Sequence, residues 1–296
     1  MPYRIYKIIN IFVCDKMKNA LSIDFEDCLC NEFLLKYIPK DIDKKKIEDQ
    51  VIEATDLLLK LLDKYDTKAT FFVLGKLANK YPEYIKMLDE AGHEIGSHGY
   101  SHTPLYDLGK DGFEKELKLS TELLKSITHK QPLGFRAPSF SINQSTSWAF
   151  ELLEKYGYKY DSSVFPVKMI LYGVPNAPLT PYRPNINDIS KNDPDGKIIE
   201  YPLTVLKTII NIPISGGYYL RFFPKWFLDL SISRISKSRP VMIYVHPWET
   251  YKNTTKINAP LIYKFEAYYG IKNSLNKLEM LISKYKFEPI ADQLKI

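Results

Sequence analysis

His98 and His102 stand four residues apart in the run Ser97-His98-Gly99-Tyr100-Ser101-His102, directly behind the strand-like His93-Glu94-Ile95-Gly96. In the first turn of a helix or in a tight loop, residues i and i+4 point the same way, so two neutral imidazoles at this spacing can hold one divalent ion. A lone histidine more often caps a helix or packs singly; two at ligand spacing reverse that balance. The third ligand has to come from elsewhere in the chain. The overlapping His93-Glu94-x-x-x-His98 is one residue longer than the H-E-x-x-H helix of zinc proteases, so zincin chemistry is not expected.

The elements that must position these imidazoles follow from hydrophobic periodicity. Strand-like and helix-like patterns alternate along most of the chain, which predicts β/α units around a mostly parallel sheet. Ala20–Ile23, Ala69–Val73, His93–Ser97, Gly134–Arg136, Lys159–Tyr160 and Val241–Val245 read as strands. Helical spacing covers Ile47–Tyr65, Pro82–Ala91, Phe113–Ile127, Ser145–Tyr156, Pro224–Ser236 and Leu261–Tyr285. Between Val164 and Ile198 many prolines and Asn/Asp-Pro pairs predict an ordered but irregular excursion, of the kind that builds substrate pockets.

In parallel sheets and barrels, functional residues sit just past the carboxyl ends of strands. The polar residues there form a consistent set: Asp24, Glu26 and Asp27 after the first strand, His98 and His102 after the third, and Arg136, Asp161 and His246 after later ones. Each has an ordinary alternative. Arg136 suits an ion pair, Asp161 a helix N-cap, and His246 a buried histidine before Pro247. Their joint placement at strand ends is hard to assign to chance.

Composition narrows the setting. The 296 residues fit two small domains or one large α/β barrel. A hydrophobic fraction of 45% with 26% charged residues is that of a globular chain. The net charge of +6 is spread along the chain, and Lys44-Lys45-Lys46 is followed by Glu48 and Asp49, so no nucleic-acid footprint is expected. Cys14, Cys28 and Cys30 make an odd set without a C-x-x-C pair, which argues against a disulfide framework and for a reducing, cytoplasmic compartment. Ile8–Cys14 is apolar but short, holds Asn10 and is ended by Asp15 and Lys16, so neither a signal peptide nor stable membrane insertion is expected. Met17, which leads directly into the first core strand, is expected to be the natural start.

Five motifs in order resemble the polysaccharide deacetylases of carbohydrate esterase family 4, the NodB-homology fold. They are Ser22-Ile23-Asp24-Phe25-Glu26-Asp27, Ser97–His102, Arg136-Ala137-Pro138-Ser139-Phe140, Tyr160-Asp161-Ser162-Ser163 and Val245-His246-Pro247-Trp248-Glu249, spanning Ala20 to Thr250. The run Gly92–His102 is similar to the branch acting on exopolysaccharide or peptidoglycan-type sugars. The resemblance implies a distorted (β/α)7 barrel filling residues 1–296 as one domain, with 1–17 an extension, 20–250 the motif-bearing barrel and 251–296 a C-terminal helix and strand. It also implies one divalent ion, zinc foremost with cobalt or nickel as alternatives, and hydrolysis of the N-acetyl amide of N-acetylhexosamine units in a polysaccharide or glycan precursor. One departure is visible: the family's adjacent T-F-D-D-G aspartates are replaced by Asp24-x-Glu26-Asp27. Position relative to the strand favours Asp24 as base. Asp27 is the first choice for the metal carboxylate, and Glu26 the alternative if the strand continues past Phe25.

A divalent ion held by that carboxylate, His98 and His102 would polarise the acetyl oxygen and lower the pKa of a bound water. Asp24 would take the water's proton, with Arg136 orienting it. His246 is the expected acid for the leaving amine, and the resemblance implies that Asp161 holds its ring. Trp248 and Tyr100 are expected to wall the acetyl pocket, with Pro138 and Phe140 beside it, and Tyr218 and Arg221 to touch sugar. The nearest rival activity is hydrolysis of a non-sugar amide or ureide, as in allantoin-type amidases; a sugar-binding module without activity is the non-enzymatic alternative.

Overall fold

A computed structural model describes residues 18–169 and 172–296; Cys14 and the expected start at Met17 lie outside them. The first strand, β1 (Asn19–Phe25), is buried along its whole length, as a strand covered on both faces of a parallel sheet must be. It pairs on one side with the strand Met242–Val245 and on the other with β2 (Thr70–Val73), and the sheet continues through β3 (Glu94–Ser97), β4 (Gly134–Phe135), β5 (Tyr160–Asp161) and the strand Ile199–Glu200. A last short strand, Phe287–Glu288, joins the start of β1. Every ladder of this sheet is parallel.

The register sets the site. Phe25, Val73, Ser97, Phe135, Asp161 and Glu200 lie in one transverse row at the carboxyl ends of the strands. One residue past that row come Glu26, His98 and Arg136, so three of the residues expected to do chemistry leave the sheet at one level. Ile23 pairs with Val245, which brings His246 to the level of Asp24.

The sheet curls into the open (β/α)7 half-barrel expected. The Arg136 guanidinium, just after β4, lies 4.3 Å from the Phe72 ring and 5.2 Å from that of Tyr244 and bonds Ser22 and Asp24 of β1, contacts possible only across the interior of a curled sheet. Among the described residues no ladder joins Ile199–Glu200 to Met242–Val245, so the barrel stays open there. Helices cover the outside. The Lys44–Lys64 helix buries Val51, Leu58 and Leu62 in the same core as Ile23, Phe71 and Val245.

Several elements differ from the sequence reading. The expected helix Leu261–Tyr285 is two, Leu261–Tyr268 and Ile271–Lys284, separated at Gly270. Gly270 has φ +75°, and a Cβ there would sit 2.7 Å from the carbonyl oxygen of Arg221, so only glycine fits the break. Three short helices, Gly75–Lys80, Gly217–Phe222 and Pro247–Thr250, were not foreseen. The Phe113–Ile127 helix lies within Leu105–Thr128, where a first turn from Leu105 meets the main helix across a kink at Gly109, φ +66°, while Ser145–Tyr156 resolves into a 3-10 turn and a shorter helix, Ala149–Lys155. Within the proline-rich excursion, Pro184–Asn185 and Asp188–Asn192 form an antiparallel hairpin. Cys28 and Cys30 are both buried free thiols.

Candidate functional site

Glu26, His98 and His102 offer ligand atoms that all lie within 4.8 Å of one another. Glu26 Oε2 is 2.9 Å from His102 Nε2 and 3.3 Å from His98 Nε2. His98 and His102 sit in a loop, not a helix; His102 has the left-handed φ of +68°, which folds the chain back and brings the two rings to 5.3 Å. The loop is fastened from the Leu105–Thr128 helix, where Glu116 Oε2 accepts from the backbone N–H groups of Tyr100 and Ser101 at 3.3 and 3.2 Å. Nothing in the sequence set Glu116 apart from the other acids of its helix.

The donor chemistry of this cluster fits a divalent cation. His98 Nδ1 lies 2.8 Å from the Arg136 carbonyl oxygen. A carbonyl only accepts, so in the neutral ring Nδ1 carries the hydrogen and Nε2 turns a lone pair toward Glu26. With both Nε2 atoms bare of hydrogen, the buried Glu26 Oε2 has no hydrogen-bond partner. The His98 Nε2 lone pair, the His102 imidazole beside it and the Glu26 carboxylate oxygen are what a cation would draw together. Burial opposes ionisation of Glu26, but His102 and His246 outweigh it and hold the carboxyl well below the usual range.

Asp27, the first choice for this carboxylate, does not join the cluster. β1 runs on to Phe25 and Glu26 leaves it on the histidine side; Asp27 then caps the following 3-10 turn, its Oδ1 accepting from Leu29 N–H at 2.8 Å. Burial raises its pKa, with Lys76 opposing.

Asp24 and Arg136 meet as expected. Arg136 Nη1 donates to Asp24 Oδ1 at 2.6 Å and to Ser22 Oγ at 2.8 Å, while Nε and Nη2 are taken by the Ser162 carbonyl and hydroxyl at 2.9 and 3.0 Å. All donors of the buried guanidinium point at fixed acceptors, so its position is set by the sheet. Asp24 Oδ2 faces His246 Nε2 at 3.7 Å.

Asp161 does not hold His246. It accepts from Ser163 N–H at 3.1 Å and Ser163 Oγ at 2.7 Å, and the strand register sets it opposite Glu200. Burial raises both carboxyls, Glu200 well above its ordinary range with Asp161 adding to the rise. The partner of His246 is Glu249, three residues on in the helix Pro247–Thr250: Glu249 Oε2 lies 2.6 Å from His246 Nδ1. Burial alone would lower the His246 pKa, but Glu249, Glu26 and Asp24 outweigh it and raise it to about 9.

Arg221, expected on sugar, is instead buried beneath this pair. Its Nη2 and Nε donate to Glu249 Oε1 at 2.8 and 3.2 Å, and Nη1 to the Tyr269 carbonyl at 2.7 Å. Burial raises the Glu249 pKa, yet Arg221 and His246 bring it down to about 2. The close approach needs Gly217, where a Cβ would stand 1.5 Å from Glu249 Oε2.

Asp24, Glu26, His98, His102, His246 and Glu249 line one cleft of about 130 Å³. Trp248 stacks on His246 at 5.8 Å and 14°, and it lines the cleft with Phe140 and Tyr218. Phe33 and Tyr172, which sequence reasoning missed, are further walls. Tyr100 and Pro138 do not line it. The Tyr100 ring covers Gly75, while Pro138 packs over Gly99 and supports the histidine loop from outside.

Comparison with known proteins agrees with this architecture. A solved structure from Mycobacterium smegmatis assigned to the polysaccharide deacetylases superposes with a TM-score of 0.60 at 20% identity, covering 94% of this chain and 90% of that one. The Puue allantoinase structure superposes with a TM-score of 0.59 at 17% identity, covering 93% and 88%. At such identities the likeness defines a class, the NodB-type distorted barrel, and no substrate. Residues 46–160 match the polysaccharide deacetylase family and residues 162–295 a family described as a domain of unknown function, DUF3473. The peptidoglycan deacetylase of Helicobacter pylori is 42% identical over 107 residues, 36% of each chain. The polysaccharide deacetylase match thus covers residues 46–160, and the chain's matches span about a third of the length of the curated relatives.

Proposed function

We propose that the chain is a metal-dependent hydrolase that removes N-acetyl groups from N-acetylhexosamine units of a glycan. The observation that carries this reading is the orphaned Glu26 Oε2 between His98 and His102, with an arginine-held carboxylate and a carboxylate-held imidazole on either side. Glu26, His98 and His102 would hold the ion, zinc foremost. When bound, it would supply Lewis-acid polarisation of the acetyl oxygen and a more acidic water.

The remaining steps belong to this chain's side chains. Asp24 accepts the proton of the attacking water at Oδ2, the oxygen that Arg136 leaves free. Arg136 fixes the plane of the Asp24 carboxylate. His246 delivers a proton from Nε2 to the departing amine, and Glu249 favours the imidazolium that makes this possible. Trp248 behind the imidazole fixes its plane and leaves an apolar wall for the acetyl methyl group. The peptidoglycan-type relative supports a bacterial cell-wall or related N-acetylated glycan as substrate class.

Acetate release from N-acetylglucosamine oligomers by the metal-loaded protein tests the reading. Release that disappears on chelation and returns with added metal is expected. Turnover of a ureide with no acetate from any N-acetyl glycan would overturn it.

A further inference from the structure

The rim of the cleft carries a large exposed apolar surface. On one side a hairpin of Val205–Lys207 and Asn211–Pro213 turns through Ile209 and Ile210, 103% and 71% exposed. Among the described residues, this tip and Met169 line a groove with Lys168 and Lys207 that contains no carboxylate. Lys168 and Met169 also border a depression shared with Phe33, Tyr172, Tyr218 and Glu266, all four of which belong to the catalytic cleft as well. Hairpin tip and cleft are therefore one continuous surface.

The apolar surface continues on the other side. Tyr218 stacks on Phe222 at 5.7 Å, Phe222 meets Tyr269 at 6.2 Å, and Tyr269 meets Phe265 at 4.7 Å. Leu261 and Ile262 extend this strip along the helix Leu261–Tyr268, 81% and 72% exposed. Beyond Tyr269 lies a groove lined by Lys252, Lys256 and Lys272, again without a carboxylate among the described residues.

An apolar centre with lysines on both flanks is complementary to a surface that is anionic outside and apolar beneath. A second copy of the chain would bring lysine flanks together with no carboxylates in those grooves to receive them. No described helix is long and apolar enough to cross a membrane. We propose that this face docks on an anionic phospholipid leaflet, with Ile209, Ile210 and the helix Leu261–Tyr268 entering the head-group layer and the cleft opening at the membrane surface. This goes beyond the proposed deacetylation, and its test reads binding without turnover.

The full chain is sedimented with vesicles of phosphatidylcholine alone and of phosphatidylcholine mixed with phosphatidylglycerol. Binding to the mixed vesicles is expected, weakened by salt. Two double variants, Ile209→Ser with Ile210→Ser and Ile262→Ser with Phe265→Ser, should each bind about tenfold more weakly or worse. An unchanged thermal midpoint confirms that a variant is folded, and either variant alone suffices. Absence of wild-type binding overturns the proposal, as does equal binding by the folded variants, which would mean lysine adsorption alone. A wild-type dimer in light scattering that the same substitutions dissolve overturns it in favour of a second copy.

Discussion

Glu249→Gln separates the role of the His246 partner from everything else in the cleft. The substitution keeps the shape of the side chain and an acceptor for Arg221, but removes the charge 2.6 Å from His246 Nδ1. A hydrogen bond to a charged group contributes about 1.5–3 kcal/mol. At about 1.4 kcal/mol per decade, losing it when His246 must carry the proton predicts a fall in kcat of about 10- to 150-fold. Folding should suffer as well, because Arg221, buried with Glu249, would lose its anion; breaking a buried pair costs roughly 3–5 kcal/mol, lessened here by the retained amide oxygen and the Tyr269 carbonyl. The assay is acetate release from N-acetylglucosamine oligomers at saturating substrate, with metal content and thermal midpoint measured on the same sample. Wild-type kcat at equal metal content would refute the assignment of Glu249 to His246. A rate lost in step with the metal would instead mean that Glu249 supports the metal site.

Other consequences are open to measurement. Because burial and the neighbouring Asp161 raise the Glu200 pKa in the fold above that of an unfolded glutamate, about 4.3, the stability its protonated form contributes is present below that pH and lost as the pH rises toward its folded pKa, by up to about 1.4 kcal/mol per unit. Glu200→Gln should therefore flatten the fall in urea midpoint as the pH rises above about 4.3; equal slopes in variant and wild type would contradict the raised Glu200 pKa. Gly270→Ala must tolerate φ +75° with a Cβ 2.7 Å from a backbone oxygen, which predicts a loss of roughly 1–3 kcal/mol, seen as a melting point lower by several degrees; an unchanged midpoint would show that the break relaxes. Arg136→Lys keeps the charge but cannot span Asp24, Ser22 and Ser162 together. It should lower kcat by at least about tenfold while keeping the metal, and full activity would remove Arg136 from the positioning of the base.

Six strands of the sheet were legible because a buried parallel sheet is written as short apolar runs, and because the polar residues ending those runs have few structural uses there. Register then did what sequence could not: it fixed Glu26, His98 and Arg136 at one level. Glu26 and Asp27 could not be separated by pattern, since a turn one residue earlier or later exchanges them. Glu249 was missed although it stands three residues after His246, where a capping-box spacing pairs the first and fourth residues of a helix start. Arg221 was expected on sugar, but the unforeseen helix Gly217–Phe222 turns its side chain inward onto Glu249. Glu200 escaped notice because the β/α alternation is lost through the proline-rich excursion before it.

The central claim is that Glu26, His98 and His102 hold the ion and Asp24 does not. Metal content per chain after exhaustive dialysis, measured for the wild type and for Glu26→Gln, Asp27→Asn, His98→Ala, His102→Ala and Asp24→Asn, tests it most directly. The account predicts a stoichiometric metal in the wild type, Asp27→Asn and Asp24→Asn, with activity lost only in the last of these three, and a large loss of metal in the Glu26 and both histidine variants. Metal retained by Glu26→Gln and lost from Asp27→Asn would contradict it.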